Sequence, residues 1–193
     1  MISVHDLCLS FGEKTVLDHF SLSFPQVPIL GLTGPSGCGK TSLLRVLAGL
    51  EKPDCGVVEG VNPQRTAFLF QEDRLLPWRS VGQNLTDVLP KERLGELDRW
   101  LSFAELEGEK DTRPAALSGG MARRLALARC AALDSELLLL DEPFTGIDSQ
   151  RSLRLLQKLR DLGKPIILIS HEQEILSRCD AVLSLDGTPL KLV

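Results

Sequence analysis

Hydrophobic residues in the first third of the chain follow the patterns of β-strands. They alternate in part with polar residues, or form short apolar runs between turn-forming segments. These patterns predict strands over residues 2–9, 15–24, 28–32, 56–59 and 66–70. Residues 40–50 differ, because leucines recur there at helical spacing, and this predicts a helix.

Helical and strand-like patterns alternate in the last part of the chain. They predict helices over residues 118–133 and 149–162, strands over 136–140 and 165–170, and a short helix after residue 171. Strands that alternate with helices form parallel sheets whose two faces the helices cover. We therefore expect an α/β fold with a mostly parallel sheet.

The segment between these regions, residues 72–113, is polar and favours helices over strands. Residues 91–113 contain twelve charged side chains, while Leu94, Leu97 and Leu101 mark one apolar face. Charge of this density usually belongs to a solvated surface. We expect a small helical outgrowth of the α/β core.

The composition is that of a soluble globular protein. The 193 residues are 43% apolar and 25% charged, and the formal net charge of −4 gives no general attraction to nucleic acid. No apolar run approaches the ~18–20 residues of a membrane-spanning helix, and the first residues lack the pattern of a signal peptide. The five scattered cysteines form no CxxC pair, so we expect reduced thiols in a cytosolic protein, without a disulfide framework or a zinc site.

Residues 34–41 match the phosphate-loop pattern GxxxxGK[ST] in full. Glycines let the backbone wrap closely around phosphates, and the helix that begins near Lys40 adds its positive end. An apolar strand before the motif and a helix after it disfavour a chance match. The predicted nucleotide-binding residues of this segment are Gly34, Pro35, Ser36, Gly37, Cys38, Gly39, Lys40, Thr41 and Ser42.

Individual residues of the loop have distinct expected roles. Lys40 supplies a mobile charge for the β- and γ-phosphates, and the Thr41 hydroxyl is a ligand for Mg²⁺. Cys38 lies inside the loop, where we interpret it as a small filler without a catalytic role.

An apolar run of four leucines, residues 137–140, ends in Asp141 and Glu142. Such a run suits a strand buried on both faces, and ligands of parallel α/β sheets bind at the carboxyl ends of the strands. We predict that Asp141 holds Mg²⁺, directly or through water, and that Glu142 is the general base for an attacking water. The alternative is a solvated acidic turn before Pro143.

A second glycine-containing helix start follows the polar segment. Ser118 is a good N-cap, and the helix after it is rich in alanine and leucine. Gly119 and Gly120 at the helix N-terminus could also bind an anion. Two phosphate sites in one chain suggest that each contributes half of a complete site, although a simply capped helix remains the alternative.

These motifs, in this order, resemble those of the nucleotide-binding subunit of an ATP-binding-cassette (ABC) transporter. The sequence LSGGM at residues 117–121 is similar to the family's LSGGQ signature, and the resemblance covers essentially the whole chain. It implies a P-loop ATPase fold in one domain, residues 1–193, with a mostly parallel core sheet and a small antiparallel N-terminal β-subdomain. It also implies an inserted helical subdomain at about residues 72–134.

The resemblance assigns four further residues. Phe11 would stack on adenine, where the family usually has Tyr, unless it is an aromatic of the core. Gln71 matches the Q-loop glutamine, which touches Mg²⁺ or the attacking water. Asp148 matches the D-loop aspartate, which reaches across a dimer, and it could also be a helix N-cap. His171 matches the switch histidine at the γ-phosphate, although a lone histidine is more often a surface residue.

Some positions depart from the family pattern. Met121 replaces the usual signature Gln and lacks its amide, which puts a polar contact to nucleotide in doubt. Arg123 stands where Gln is common, Glu172 stands where Asp is commoner after the switch histidine, and residues 146–147 are Gly-Ile where Ala-Leu is frequent. None of these changes removes a charge that the chemistry needs.

The resemblance also implies cofactors and partners. ATP and Mg²⁺ would lie between two copies of the chain arranged head to tail, with Ser118 of one copy capping the γ-phosphate held by Lys40 of the other. Membrane permease subunits would contact residues 71–79, where Leu75, Leu76 and Trp78 are candidate exposed anchors unless they pack inside the outgrowth. An extracytoplasmic solute-binding protein would take part indirectly, and we expect no nucleic-acid partner.

The stretch QEDRLLPW at residues 71–78 is similar to that of importer ATPases for nitrate, sulfonates and taurine. The sequence thus favours a transport motor on the cytoplasmic face of a membrane. Two alternatives are a soluble ABC ATPase of DNA repair, ribosome function or iron–sulfur assembly, and an unrelated P-loop kinase or GTPase. The chain has no tandem cassette, coiled-coil insertion or basic tail, and its Ser118 and His171 motifs disfavour a kinase or GTPase.

Overall fold

The computed structural model describes residues 1–193. The strands are β1 (Ser3–Phe11), β2 (Lys14–Ser23), β3 (Ile29–Thr33), β4 (Cys55–Glu59), β5 (Thr66–Leu69), β6 (Leu137–Asp141), β7 (Ile166–Ile169), β8 (Ala181–Asp186) and β9 (Lys191–Leu192). The α-helices are α1 (Lys40–Leu47), α2 (Val81–Thr86), α3 (Leu97–Ala104), α4 (Gly119–Ala132), α5 (Ser149–Arg160) and α6 (Gln173–Leu176). Short 3₁₀ helices span Pro63–Arg65, Lys91–Glu96, Glu107–Glu109 and Pro114–Ala116.

The main sheet has the strand order β5-β6-β7-β3-β8-β9. Its first five strands are parallel, and only β9 runs antiparallel to its neighbour. Ile169 of β7 lies beside Leu32 of β3 on one side and Asp141 of β6 on the other. The predicted mostly parallel sheet is therefore confirmed, and the segments that follow β3, β6 and β7 meet at one edge.

Two hydrophobic cores cover the two faces of this sheet. The four leucines of β6 are all buried and alternate between the cores, since Leu138 and Leu140 face one and Leu137 and Leu139 the other. Helices α4 and α5 cover the first core, and α1 with the N-terminal strands covers the second. This alternation explains why an uninterrupted apolar run forms a strand here rather than a helix.

The N-terminal strands form a separate three-stranded antiparallel sheet with the order β2-β1-β4. The inward face carries Val4, Leu7 and Leu9, which are buried. The pairing of β1 with both neighbours is interrupted by register shifts. The predicted antiparallel β-subdomain is thus confirmed.

The polar middle segment contains α2 and α3, which pack against α4. Trp100 and Leu101 of α3 are buried, and Leu97 packs on the same core, but Leu94 is exposed. The predicted apolar face therefore extends over two of its three leucines. The boundaries of 72–134 for a helical subdomain stay a prediction.

The expectation that every thiol is reduced is wrong for one pair. Cys8 and Cys55 form a disulfide, while the other three cysteines are free. The two residues are 47 positions apart, so their spacing gives no signal, but they face each other across the β1–β4 pair.

No helix has the length and apolar character needed to cross a bilayer.

Candidate nucleotide-binding site

The predicted phosphate loop connects β3 to α1 at the carboxyl edge of the sheet. Gly34 has a φ of 141°, and a Cβ there would overlap the carbonyl oxygen of Leu185, so only glycine fits. The backbone N–H groups of Gly37, Cys38 and Gly39 donate no hydrogen bond within the chain. These donors, at the start of a helix, are available to a phosphate.

Lys40 occupies the first turn of α1 and is 5% exposed. Its Nζ donates hydrogen bonds to the carbonyl oxygens of Gly34, at 2.8 Å, and Pro35, at 2.7 Å. Cys38 is buried, with its Sγ 3.8 Å from the carbonyl oxygen of Leu185. The ammonium group is thus held by its own loop, and Sγ of Cys38 lies 3.7 Å from it, so the buried thiol fills the space beside the lysine.

A cavity of about 320 Å³ opens beside this loop. The predicted site residues that line it are Phe11, Ser36, Gly37, Gly39, Lys40, Thr41, Ser42, Gln71, Glu142 and His171. Lys14, Val16 and Ile169, which the sequence did not single out, line it as well. The volume lies within the range of small-ligand pockets. The tertiary structure therefore brings together residues that are up to 160 positions apart.

The other predicted site residues do not line this cavity. They are Gly34, Pro35, Cys38, Ser118, Gly119, Gly120, Asp141 and Asp148. Of the first three, Gly34 and Pro35 accept hydrogen bonds from Nζ of Lys40, and Cys38 is buried beside it. The remaining five lie on β6, at the start of α4 and before α5.

Asp141 ends β6 and is 2% exposed. Burial raises the pKa of its carboxyl group above the ordinary value, and a hydrogen bond with the Thr41 side chain opposes this rise. Its Oδ2 is buried and has no hydrogen-bond partner in the chain. An unpaired buried carboxylate oxygen beside a hydroxyl is a suitable pair of ligands for a hard cation.

Glu142 follows directly and has a left-handed φ of 47°, which is uncommon for a residue with a side chain. Its Oε1 lies 3.5 Å from Nε2 of His171, and its Oε2 accepts a hydrogen bond from Oγ1 of Thr145 at 3.3 Å. The two neighbouring side chains therefore point in different directions, since Asp141 is buried and Glu142 lines the cavity. The alternative of a merely solvated acidic turn does not describe this arrangement.

Phe11 and His171 also lie in exposed positions. Phe11 ends β1 and is 48% exposed, so it is not an aromatic of the core. The His171 side chain is 43% exposed, directly after β7. Both line the same cavity, which leaves a ring face of Phe11 and the imidazole available to a ligand.

The predicted second phosphate site has the geometry of a capped helix. The Ser118 side chain caps α4 by accepting a hydrogen bond from the backbone N–H of Met121 at 3.3 Å. Gly120 approaches Gly146 closely, because a Cβ on it would lie 2.8 Å from the Gly146 carbonyl oxygen. Residues 118–120 lie outside the cavity of their own chain.

Asp148 is the N-cap of α5, which confirms the alternative role given to it. It accepts hydrogen bonds from the backbone N–H of Arg151 at 3.0 Å and from Nη1 of the same residue at 2.9 Å. These bonds lower the pKa of Asp148. A contact across a dimer remains a prediction.

Arg123 connects the segment around Gln71 with the end of β6. In the sequence analysis it stood out only as a departure from the family pattern. Its guanidinium is 3% exposed on α4. It donates to the carbonyl oxygens of Phe70, Gln71, Asp141 and Glu142, and to Oδ1 of Asp73. A buried guanidinium that satisfies four carbonyls fixes the backbone on both sides of the cavity. The one sequence signal was a charged residue at a helix position facing the core.

A larger cavity, of about 640 Å³, opens at the opposite, amino-terminal edge of the parallel strands. It contains none of the predicted site residues. Its cations are already engaged, since Arg65 pairs with Glu136, Arg160 pairs with Asp180, and Lys164 donates to the carbonyl oxygen of Leu133. The geometry therefore favours the smaller cavity as the functional site.

The family profile described as ABC transporter matches residues 17–145, which include the phosphate loop, the signature and the acidic strand end. The chain belongs to the ABC transporter family. It is an ATP-binding ATPase of this family, as the resemblance predicted.

Relatives of this ABC ATPase agree over most of its length. It is 41% identical to an aliphatic sulfonates import ATP-binding protein of Nocardia farcinica, over 96% of this chain and 78% of that protein. It is 37% identical to a sulfate/thiosulfate import ATP-binding protein of Vibrio vulnificus, over 90% of this chain and 57% of that one. The solved dimeric structure of a bacterial ABC transporter cassette superposes with a TM-score of 0.83 at 24% identity, over 95% and 94% of the two chains. The ABC ATPase fold is therefore confirmed.

Proposed function

We propose that this ABC ATPase is the motor subunit of an importer for a small solute. The observation that carries the proposal is the cavity in which the phosphate loop, Gln71, Glu142 and His171 meet. ATP would bind there, and hydrolysis would drive permease subunits at the cytoplasmic face of a membrane. The relatives named above are import subunits, which supports this function over a soluble ABC ATPase of DNA repair, ribosome function or iron–sulfur assembly.

The substrate of the transporter would be a small oxyanion. Relatives at 41% and 37% identity carry aliphatic sulfonates and sulfate or thiosulfate in their names. We infer that an aliphatic sulfonate is the first solute to test. The ATPase subunit itself would not contact it, because the solute would pass through the permease.

The triphosphate would lie along the phosphate loop. The free N–H groups of residues 37–39 would donate to its oxygens, and Lys40 would exchange its two carbonyl partners for the β- and γ-phosphates. Phe11, which also lines the cavity, would stack on adenine. Its exposed ring needs no rearrangement of the core to do so.

Mg²⁺ would be held by Thr41, Asp141 and Gln71. The donors are oxygens, which Mg²⁺ prefers, and Oδ2 of Asp141 has no partner inside the chain. The ion, when bound, would neutralise charge on the β- and γ-phosphates. Because Arg123 holds the carbonyl oxygens of Gln71 and Asp141, it would keep these two ligands in place.

Glu142 would accept a proton from the attacking water. Its Oε1 lies near Nε2 of His171, so the carboxylate and the imidazole would frame the γ-phosphate together. The hydrogen bond from Thr145 to Oε2 would hold the carboxylate in this orientation. The left-handed backbone at Glu142 turns the side chain from the strand end into the cavity.

A second copy would complete each site. Residues 118–120 lie outside the cavity of their own chain, at the positive end of the 14-residue helix α4. In a head-to-tail pair this end would cap the γ-phosphate bound by Lys40 of the partner, with Asp148 near the shared boundary. The bacterial cassette of the same fold was solved as a dimer.

Loss of Ser118 tests this proposal. Ser118→Ala should lower ATP turnover by about 10–100-fold, because one donor to the transferred phosphate is lost. Turnover per chain should also rise with protein concentration in the unmodified protein. Both are measured by phosphate release in Mg-ATP over a dilution series.

The matched control is Ser80→Ala. Ser80 caps α2 through the same kind of bond, to the backbone N–H of Gln83, so both variants lose a cap and about 1 kcal/mol of stability. Ser80→Ala should keep turnover within about threefold of the unmodified chain. Concentration-independent turnover together with full activity of Ser118→Ala would contradict the shared site.

The permease contact would be built on residues 71–79. Trp78 is 67% exposed, whereas Leu75 packs against the helical core, so the alternative of inward packing applies to Leu75 and not to Trp78. An exposed indole beside the Gln71 segment would report the state of the nucleotide site to the partner.

Trp78→Ala should weaken capture of the permease at least about tenfold while leaving the ATPase activity of the isolated subunit unchanged. Pull-down from detergent-solubilised membranes of cells that co-express a candidate permease with this subunit measures the first effect. Leu94→Ala, which removes another exposed apolar side chain of the helical outgrowth, is the control. Equal capture of the Trp78 variant and the control would exclude this contact.

A further inference from the structure

Three potential metal ligands lie together on the antiparallel sheet, outside the lining of the nucleotide cavity. Cys8 is on β1, His19 on β2 and Cys55 on β4, so each of the three strands contributes one. Their ligand atoms all lie within 4.8 Å of one another. None of the three residues lines the nucleotide cavity, and the ABC ATPase chemistry uses none of them.

Asp6 adds a second, independent observation. Its Oδ1 lies 2.8 Å from Nδ1 of His19, so the carboxylate fixes the ring and leaves Nε2 without a partner in the chain. A carboxylate that holds one nitrogen of a histidine is the usual outer partner of a metal-binding imidazole. The carbonyl oxygen of Asp6 is also close to both sulfurs, at 3.1 Å from Sγ of Cys55 and 3.9 Å from Sγ of Cys8.

The backbone is shaped around this cluster. Asp6 and His19 both have a left-handed φ, of 57° and 46°, and the ladders of β1 shift register next to Leu7 and before Cys8. Left-handed residues other than glycine cost about 1–2 kcal/mol each, and bulges change the direction in which side chains point. Gly56 completes the arrangement, because a Cβ on it would overlap the carbonyl oxygen of Asp6.

We propose that Cys8, Cys55 and His19 bind a thiophilic divalent ion of the Zn²⁺ class when the disulfide is reduced. Two thiolates and an imidazole form a donor set that suits Zn²⁺, and solvent would supply the fourth ligand of a tetrahedral site. Two sulfurs at about 2.3 Å from one tetrahedral ion stand roughly 3.8 Å apart, which side chains on neighbouring strands can reach. The disulfide is the metal-free form, and the two states exclude each other.

The disulfide is first reduced, and the metal ion then binds. A dithiol reductant supplies two electrons and two protons, which convert the disulfide into two thiols while the reductant becomes a disulfide. One Zn²⁺ then displaces the two thiol protons and accepts the lone pair of the His19 imidazole. The alternative is a purely structural disulfide whose thiols bind no metal after reduction.

Cobalt substitution tests the proposal on the full chain. After anaerobic reduction and removal of the reductant, one Co²⁺ per chain should bind and give thiolate-to-cobalt charge transfer with the intense visible bands of a tetrahedral ion, and Zn²⁺ should displace it. The same protein left oxidised should show neither signal, which serves as a control without any mutation. Cys8→Ser and Cys55→Ser should lose the charge-transfer band, while Cys179→Ser, which changes an isolated thiol, should keep it.

The carboxylate of Asp6, which contacts His19, allows a more specific test of metal affinity. Asp6→Asn should weaken Co²⁺ affinity about 10–100-fold, because the ring of His19 exchanges a charged carboxylate acceptor for the weaker, neutral amide oxygen of Asn. Asp18→Asn is the matched control, since it removes a nearby charge but no hydrogen bond to His19. The Co²⁺ affinity of this variant should stay within about threefold of that of the unmodified chain. Failure of the reduced protein to take up Co²⁺, or retention of tetrahedral Co²⁺ by Cys8→Ser, would overturn the proposal.

Discussion

Glu142→Gln should reduce ATP hydrolysis about 10²–10⁴-fold while preserving ATP binding. Gln has nearly the same shape as Glu and can keep the hydrogen bond from Thr145, but it cannot accept a proton from water. The phosphate loop, Lys40 and Asp141 are untouched by the change. A nucleotide that binds but is not cleaved should hold two chains together, because their separation would require loss of the γ-phosphate.

Size-exclusion chromatography in Mg-ATP measures this effect. The Glu142 variant should elute as a stable dimer with ATP and as a monomer with ADP, whereas the unmodified chain should return to monomer as ATP is consumed. Glu136→Gln is the matched control, since Glu136 is an exposed residue near the start of the same strand, paired with Arg65. A Glu142 variant that hydrolyses ATP at the parent rate as a monomer would refute its role as the base.

Lys40→Ala should abolish productive ATP binding and lower turnover by at least about 10²-fold. The ammonium group is buried and is held by Gly34 and Pro35 at hydrogen-bond distance, so it is already positioned for phosphate oxygens. Alanine keeps the helix α1, since its helix propensity is high, but it removes both the charge and the contacts that hold the loop. This variant should therefore lose binding, in contrast to Glu142→Gln, which should lose only the chemical step.

Titration with a fluorescent ATP analogue, together with phosphate release, measures this second prediction. Lys52→Ala is the control, because it removes the same charge from an exposed position after α1. Circular dichroism establishes whether the Lys40 variant is folded. Normal nucleotide affinity in a folded Lys40→Ala protein would contradict the assignment of the phosphate loop.

Local patterns in the sequence were sufficient to predict most of the strands and helices of the parallel sheet and its covering layers. Strand β6 was predicted over residues 136–140 because four leucines followed by Asp141 suit a buried parallel strand, and the structure shifts it by one residue, to Leu137–Asp141. Helix α1 ends at Leu47, shorter than predicted, because Gly49 has a left-handed φ of 68° that stops the helix. Strands β8 and β9 were missed, since β8 alternates weakly and β9 has only two residues.

Other features depended on contacts between distant segments. Arg123 contacts residues 18 to 53 positions away, and the pairing of Cys8 with Cys55 depends on the register of two strands. Leu75 and Trp78 belong to the same short apolar stretch, but only one of them packs inward. A pattern along the chain cannot distinguish such residues, because burial depends on which other segments cover them.

The sequence by itself predicted the family through the resemblance of its ordered motifs, and the fold class through the alternation of strands and helices. It also predicted the residues of the phosphate loop and the acidic strand end, because these depend on fixed local spacing. Only the tertiary structure decided which of these residues share a cavity, since parallel strands from separate parts of the chain must first align their carboxyl ends. The same packing left Ser118 outside that cavity and brought Cys8, His19 and Cys55 together. Proximity of this kind arises from strand order and register, which local spacing does not encode.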